Sequence, residues 1–230
     1  MNYHDVFSNP RTLLPVIHVQ DEAQALRNAK IARHAGADGV FLINHDIDIV
    51  ELARIHEVVS KAYPKWWIGI NYLGLSPKVA FTALSDTMAG LWVDNARIDE
   101  TQEYQPQQRP IQKARIGWGK QTVYFGGVAF KYQRPVEDYA AAARIASQYM
   151  DVVTTSGPGT GEAAHPEKIR TMKQALGAHP LAIASGITIE NIADYMGADC
   201  FIVATGISED FYNLDPYKVT EMVVRIHTGA

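Results

Sequence analysis

Short apolar runs alternate with helical patterns from one end of this chain to the other, and that alternation most constrains the fold. The runs are Leu13 to Val19, Gly39 to Asn44, Trp66 to Tyr72, Leu91 to Asp94, Thr122 to Phe130, Asp151 to Thr155, Leu181 to Ala184 and Cys200 to Ala204. They are almost unbroken in apolar residues, as parallel strands covered on both faces are. Successive runs begin about 20 to 30 residues apart, room for one strand and one helix.

Helix signals fill the intervals. Asp21 is placed to cap a helix that stops at Gly36, and Asp48 to cap one that ends before Pro64. Pro77, Pro135, Pro166 and Pro216 each suit a first helical position, where a missing N–H does no harm. A short helix is expected from Thr188. The segments Ala35-Gly36-Ala37-Asp38 and Met196-Gly197-Ala198-Asp199 repeat one another, each ending a helix at a left-handed glycine and leading into a strand. Ala96 to Pro110, rich in Gln and Pro, reads as an elaborated loop.

Eight such units in 230 residues fit an α/β chain forming a single (β/α)8 TIM barrel over residues 1–230, a fold that needs at least roughly 200 residues. An open doubly wound sheet is the competing arrangement. The net charge of -4 argues against a nucleic-acid partner, which calls for a basic face. No run reaches the ~20 apolar residues of a membrane span, and Met1 to Pro10 has no apolar leader core, so a cytoplasmic protein with no membrane partner is expected. The single cysteine, Cys200, lies in an apolar run and reads as a small buried hydrophobe. Trp66, Trp67, Trp118 and Tyr132 exceed what one barrel exterior needs, although either Trp66 or Trp67 must face the core, and this points to a homo-oligomer.

In a barrel the reactive end is the C-terminal mouth, and phosphate often binds between the loops after strands seven and eight. Those loops read Ser185-Gly186-Ile187 and Thr205-Gly206-Ile207-Ser208. Glycine lets backbone N–H groups approach an anion, and Ser185, Thr205 and Ser208 bring hydroxyls. A further glycine loop after strand six contains Gly157, Gly159, Thr160 and Gly161, spaced for neither a dinucleotide fingerprint nor a P-loop, and reads as a rim loop. Other strands end in polar residues: His18, Asn44, Asn71 and Asp94, with Lys131 beyond the fifth. They are the candidate catalytic set. Asn44 and Asn71 could equally cap loops, and His45, Asp46 and Asp48 could equally cap the second helix. No metal-ligand spacing is present. No cofactor is indicated, and Mg2+ would enter only with a substrate phosphate and leave no signature.

The chain resembles the BtpA family of the ribulose-phosphate-binding-barrel superfamily. The resemblance is carried by Val16-Ile17-His18, Ala35-Gly36-Ala37-Asp38-Gly39-Val40, the stretch from Asp151 to Gly161, Ser185-Gly186-Ile187-Thr188 with Glu190-Asn191, and Phe201-Ile202-Val203-Ala204-Thr205. It implies a (β/α)8 barrel with a phosphate site at Gly186 and Gly206. Members are described variously as photosystem assembly factors, phosphoribosyltransferase-like and nucleosidase-like proteins. Three functions follow as expectations. One is a transferase or hydrolase acting at the anomeric carbon of a phosphorylated sugar or nucleotide. The second is a phosphosugar isomerase or aldolase. The third is a non-catalytic assembly or sensing barrel.

Overall fold

The computed structural model describes residues 3–118 and 122–229. Among them, eight strands pair in sequence order: β1 (Thr12–Val19), β2 (Gly39–Asn44), β3 (Trp67–Asn71), β4 (Gly90–Val93), β5 (Val123–Gly127), β6 (Val152–Ser156), β7 (Leu181–Ala184) and β8 (Cys200–Val203). All pairs are parallel, and β8 returns to β1 with Phe201 beside Leu13. The sheet is therefore a closed (β/α)8 barrel, not an open doubly wound one. Its helices are α1 (Tyr3–Val6), α2 (Glu22–Ala35), α3 (Ile49–Ala62), α4 (Pro77–Thr82), α5 (Gln108–Trp118), α6 (Tyr139–Ala146), α7 (Pro166–Leu176) and α8 (Pro216–Thr228). Among the described residues no helix is long and apolar enough to cross a membrane.

Most helix starts and stops are where local chemistry places them. Asp21 accepts from the Gln24 amide, and Asp48 from Val50 and Glu51; Gly36 ends α2 at φ 88°. Four expectations need correction. Pro135 does not begin α6, which starts at Tyr139 under an Asp138 cap. Thr188 begins no helix, and only a 3-10 turn, Ile192–Tyr195, lies between β7 and β8. Gly197 is not left-handed. Trp66 and Trp67 are both buried, so neither supports an oligomer surface. Trp66 joins the layer between sheet and helices, and Trp67 turns into the barrel. The segment read as a loop from Ala96 to Pro110 ends earlier, because α5 begins at Gln108, and it is held by its own amides: Gln105 donates to Asp99 O at 2.7 Å, and Gln108 donates to Ala96 O at 2.7 Å.

Two apolar layers explain the unbroken runs. Leu14, Val16, Phe41, Ile43, Trp67, Trp92, Phe125 and Ile202 fill the barrel. Their strand neighbours, such as Leu13, Ile17, Leu42, Ile70 and Leu91, pack under the helices. Phe41 meets Trp67, Trp92 and Phe125 with ring centroids 5.0, 5.5 and 5.2 Å apart, edge to face. Such pairs contribute about 0.5–1.5 kcal/mol each beyond their buried area. Cys200 is buried among them, as its apolar run predicts.

The repeated Gly-Ala-Asp has a structural job at the other end. Asp38, just before β2, accepts the Leu13 amide of β1 at 2.8 Å, and Asp199, just before β8, accepts the Leu181 amide of β7 at 2.8 Å. Asp151, before β6, does the same for Tyr124 of β5 at 2.7 Å. Each carboxylate satisfies a strand-start donor that has no ladder partner there. The α1 segment closes this end. Tyr3 OH bonds Thr12 Oγ1 at 2.6 Å and Asp199 O at 2.8 Å, and Phe7 packs on Trp67. Tyr3 and Phe7 thus cover the barrel below, and a cavity opens at its C-terminal mouth.

Candidate active site

Strand alternation decides which polar residues reach the mouth. Inward Val16 is followed two residues on by His18, Ile43 by His45, and Trp92 by Asp94. These three, with Lys131, line a cavity of about 380 Å3 together with Val16, Ile43, Trp92, Ala184 and Ile202. Ser185, Gly186, Ile187 and Thr205 line it from the ends of β7 and β8, and Thr160 and Gly161 from the rim. The candidate acid–base residues and the two candidate phosphate turns therefore share one cavity.

Asn44 is not part of it. It lies between inward Ile43 and His45, and its amide is spent on structure, accepting from Leu73 N at 2.9 Å and donating to Ile47 O at 3.3 Å. Asn71 is buried beside the site and donates to the Asp94 carboxylate at 3.0 Å, so it positions Asp94 instead of lining the cavity. Burial raises the Asp94 carboxyl above its ordinary range, while Asn71, Lys131 and His45 pull it back.

His18 is held from above by the segment after β8. Its ring stacks on Phe211 with centroids 4.2 Å apart, and Nδ1 lies 2.9 Å from Phe211 O. A carbonyl only accepts, so Nδ1 carries the proton and Nε2 is the lone-pair nitrogen of the neutral ring. Burial pushes His18 down to about 4, against the pull of the Phe211 carbonyl, so the ring is neutral at pH 7. Burial also lowers His45. The Phe211 segment is itself anchored: Tyr212 OH donates to Asp46, and Gln24 and Asn28 donate to Tyr212 O. Asp46 is thereby committed to the lid. Among the described residues no group of three or more His, Cys, Asp or Glu could hold a metal ion.

The turns after β7 and β8 differ in detail from what their residue types suggest. Ser185 and Gly186 have φ of 69° and 70°, a left-handed pair. Among the described residues the Gly186 and Ile187 amides meet no protein acceptor. The first amides of the 3-10 turn Thr205–Ile207 are of the kind a helix start leaves open. Glycine is needed here for a different reason than anion approach. A Cβ on Gly186 would stand 2.2 Å from Ala163 N, and one on Gly206 would stand 2.0 Å from Ile187 O. The two turns and the rim loop pack backbone to backbone. No helix dipole aims at the site from Thr188, whose amide is taken by Asn191 Oδ1. Ser208 is also unavailable, because its hydroxyl donates to Ala204 O at 2.9 Å.

Within the rim loop, Gly157 and Gly159 pack against Glu162 outside this cavity, and Thr160 reaches the mouth. Thr160 Oγ1 lies 3.2 Å from both Lys131 Nζ and Tyr132 OH. His45, Trp92 and Phe211 line the cavity although the residue pattern does not place them in the catalytic set. Period-two counting from Phe41 and Ile43 identifies His45. Phe211 has no such signal, being placed by a long loop.

No known family matches the chain, and no curated protein does. Solved structures do. The native KDPGal structure superposes with a TM-score of 0.68 at 16% identity, covering 95% of this chain and 96% of that one. Phosphoribosyl anthranilate isomerase from Thermus thermophilus gives 0.67 at 11% identity over 95% and 100%. The (S)-3-O-geranylgeranylglyceryl phosphate synthase from Thermoplasma acidophilum, in complex with sn-glycerol-1-phosphate, gives 0.67 at 16% over 99% of each. At these identities the likeness is one of fold, and this chain has the same (β/α)8 architecture.

Proposed function

We propose that this barrel is an enzyme that binds a phosphorylated sugar and reacts at its anomeric carbon, in the manner of a phosphoribosyltransferase or a nucleosidase. The observation that carries the reading is that Asp94, His18 and Lys131 share one cavity with the turns at Gly186 and Thr205. In this reading the open amides of Gly186, Ile187, Thr205 and Gly206, with the hydroxyls of Ser185 and Thr205, hold the phosphate. Asp94 sits where a carboxylate counters an oxocarbenium-like charge. Neutral His18 offers Nε2 as a base, and Lys131 neutralises the leaving group or a second phosphate. The superposed enzymes whose names include a phosphorylated compound support a phosphosugar ligand.

The isomerase or aldolase alternative is favoured less, in its Schiff-base form, by the placement of the lysines. A Schiff-base lysine belongs inside a strand in a dry pocket, and none of the eight strands contains a lysine. An assembly or sensing role would need a partner surface such as the Ala96 to Pro110 loop, whose Gln105 and Gln108 amides are turned inward. The test is a thermal-shift series with ribose 5-phosphate, phosphoribosyl pyrophosphate, nucleoside monophosphates and inorganic phosphate, each with and without Mg2+. A ligand at 100 times its Kd stabilises by about 2.7 kcal/mol. Binding followed by release or transfer of the anomeric substituent is the expected result. Conversion of a different phosphosugar, with no turnover of these donors, overturns it.

A further inference from the structure

A second cavity, of about 570 Å3, lies beside the mouth, between the segment after β5 and the first turns of α7. It shares Lys131 and Tyr132 with the mouth cavity. Both residues reach to the Thr160 hydroxyl, which lines the mouth cavity. Tyr132 is 80% exposed, and each of these contacts is 3.2 Å long. A side-chain contact of this kind parts easily, because water replaces it with little loss.

The chemistry of the second cavity is specific. Phe130, Tyr139, Val136 and Pro158 give it flat apolar walls. Two ammonium groups, Lys131 and Lys168, line it without an acidic partner among the described residues, and Lys131 is turned to Thr160 at the mouth. Lys168 Nζ donates to Ala129 O at 2.5 Å and Ser156 O at 2.7 Å and lies 5.3 Å from the Tyr139 ring centroid. Among the described residues no carboxylate pairs with it, whereas Arg134 pairs with Asp99 and Glu100, and Glu167 with Arg170. An ammonium has three N–H donors, so one remains for a ligand. Burial lowers Lys168 to about 8, which leaves it charged at pH 7 and short of a counter-ion.

We propose that this compartment binds the second reactant of the mouth's reaction, a flat, largely apolar molecule whose anionic group pairs with Lys168. The inference rests on the phosphosugar reading above, and within it selects transfer over hydrolysis. When the Lys131–Tyr132–Thr160 contact parts, the two cavities join. A nucleophilic nitrogen or oxygen of the acceptor then bonds to the anomeric carbon. The bond from that carbon to the leaving group breaks, and its electron pair departs with the leaving group. The acceptor's proton passes to His18 Nε2.

The test is calorimetric titration of the full chain with benzoate, with benzyl alcohol and with inorganic phosphate. Benzoate should bind, benzyl alcohol at least tenfold more weakly, and Lys168→Met should weaken benzoate at least tenfold while phosphate binding is unchanged. Because Lys168 also ties Ala129 to Ser156, a second variant, Val136→Trp, fills the compartment without touching that tie and should give the same loss. Benzoate affinity unaltered in both variants, or benzoate displaced by inorganic phosphate, overturns the proposal. Failure of phosphate to bind the wild-type chain, with benzoate bound and lost in both variants, overturns the phosphosugar reading and upholds the compartment.

Discussion

The side-chain amide of Asn71 on β3 donates to the carboxylate of Asp94, just beyond β4, across 3.0 Å at the mouth of the barrel. Both groups are largely removed from water, and the bond opposes the burial that raises Asp94. Whether Asp94 is an anion thus depends on a residue outside the cavity lining. In Asn71→Leu, Asp94 should titrate at a higher pH than in the wild-type chain. The acid limb of any pH–rate profile should move the same way. The variant should also lose about 1.5–3 kcal/mol at pH values where Asp94 is ionised, the usual contribution of a hydrogen bond to a charged group. Carboxyl carbon NMR follows the titration directly, and an unmoved Asp94 signal contradicts the positioning role.

Gly206 and Gly197 stand on either side of β8 and should respond oppositely to alanine. A Cβ at Gly206 would meet the Ile187 carbonyl at 2.0 Å, a main-chain atom that cannot rotate aside. Overpacking of this kind costs about 1–3 kcal/mol. Gly206→Ala should therefore lower the thermal midpoint and weaken phosphate binding by separating the two turns. At Gly197 a Cβ meets nothing within 4 Å and φ is not positive. Gly197→Ala should be neutral or stabilising by up to about 1 kcal/mol, since alanine restricts the unfolded chain. Equal melting of the two variants would show that the turn packing is not tight.

The barrel was legible because each strand carries two apolar faces and several helices, α2, α3, α4, α7 and α8, carry their own start signals, all of them local. Asp94 and His18 were legible for the same reason, as polar residues closing apolar runs. Asn44 misled because position at a strand end says nothing about side: alternation sends Ile43 and His45 inward and Asn44 outward. Ser208 misled because a hydroxyl next to a turn can bond its own backbone, as it does to Ala204. Phe211, Asn191 and Tyr3 act through partners 193, 5 and 196 residues away or nearby in loops without periodicity, which no local pattern reports.

The plug below the barrel shows how much a non-local contact can contribute. Phe7 is 5% exposed and meets Trp67 edge to face, and Tyr3 is 1% exposed. Truncating a buried phenylalanine to alanine costs about 3–5 kcal/mol. Phe7→Ala should lose stability in that range by urea titration while leaving ligand binding at the distant mouth intact. Tyr3→Phe keeps the ring and removes only the bonds to Thr12 and Asp199. It should cost about 0.5–1.5 kcal/mol, the usual net contribution of a hydrogen bond, since Thr12 Oγ1 keeps the neighbouring Cys200 thiol. A folded, binding-competent Phe7→Ala chain with unchanged stability would mean that α1 is merely laid against the barrel.

Acid should destabilise the fold through its buried histidines. His18 at the mouth and His56 under β3 are both pushed down to about 4 by burial, with His56 Nε2 3.1 Å from Ile68 O. In the unfolded chain a histidine titrates near 6.5. Because the folded values are depressed, the unfolded chain binds more protons between these limits, so stability rises with pH across the window. It is fully present above about 6.5 and is lost progressively as pH falls toward 4. A tenfold change in proton affinity corresponds to about 1.4 kcal/mol, so the two residues together account for several kcal/mol at most. His45 and His179 are lowered by burial in the same way and add to the slope. Urea titrations at pH 7.5, 5.5 and 4.5 (assay settings, roughly spanning the window) should show the decline in the wild-type chain. His56→Gln, which can still donate to Ile68 O, should remove the His56 share, and His18→Gln the His18 share. A double variant that declines as steeply as the wild type would place the acid sensitivity elsewhere.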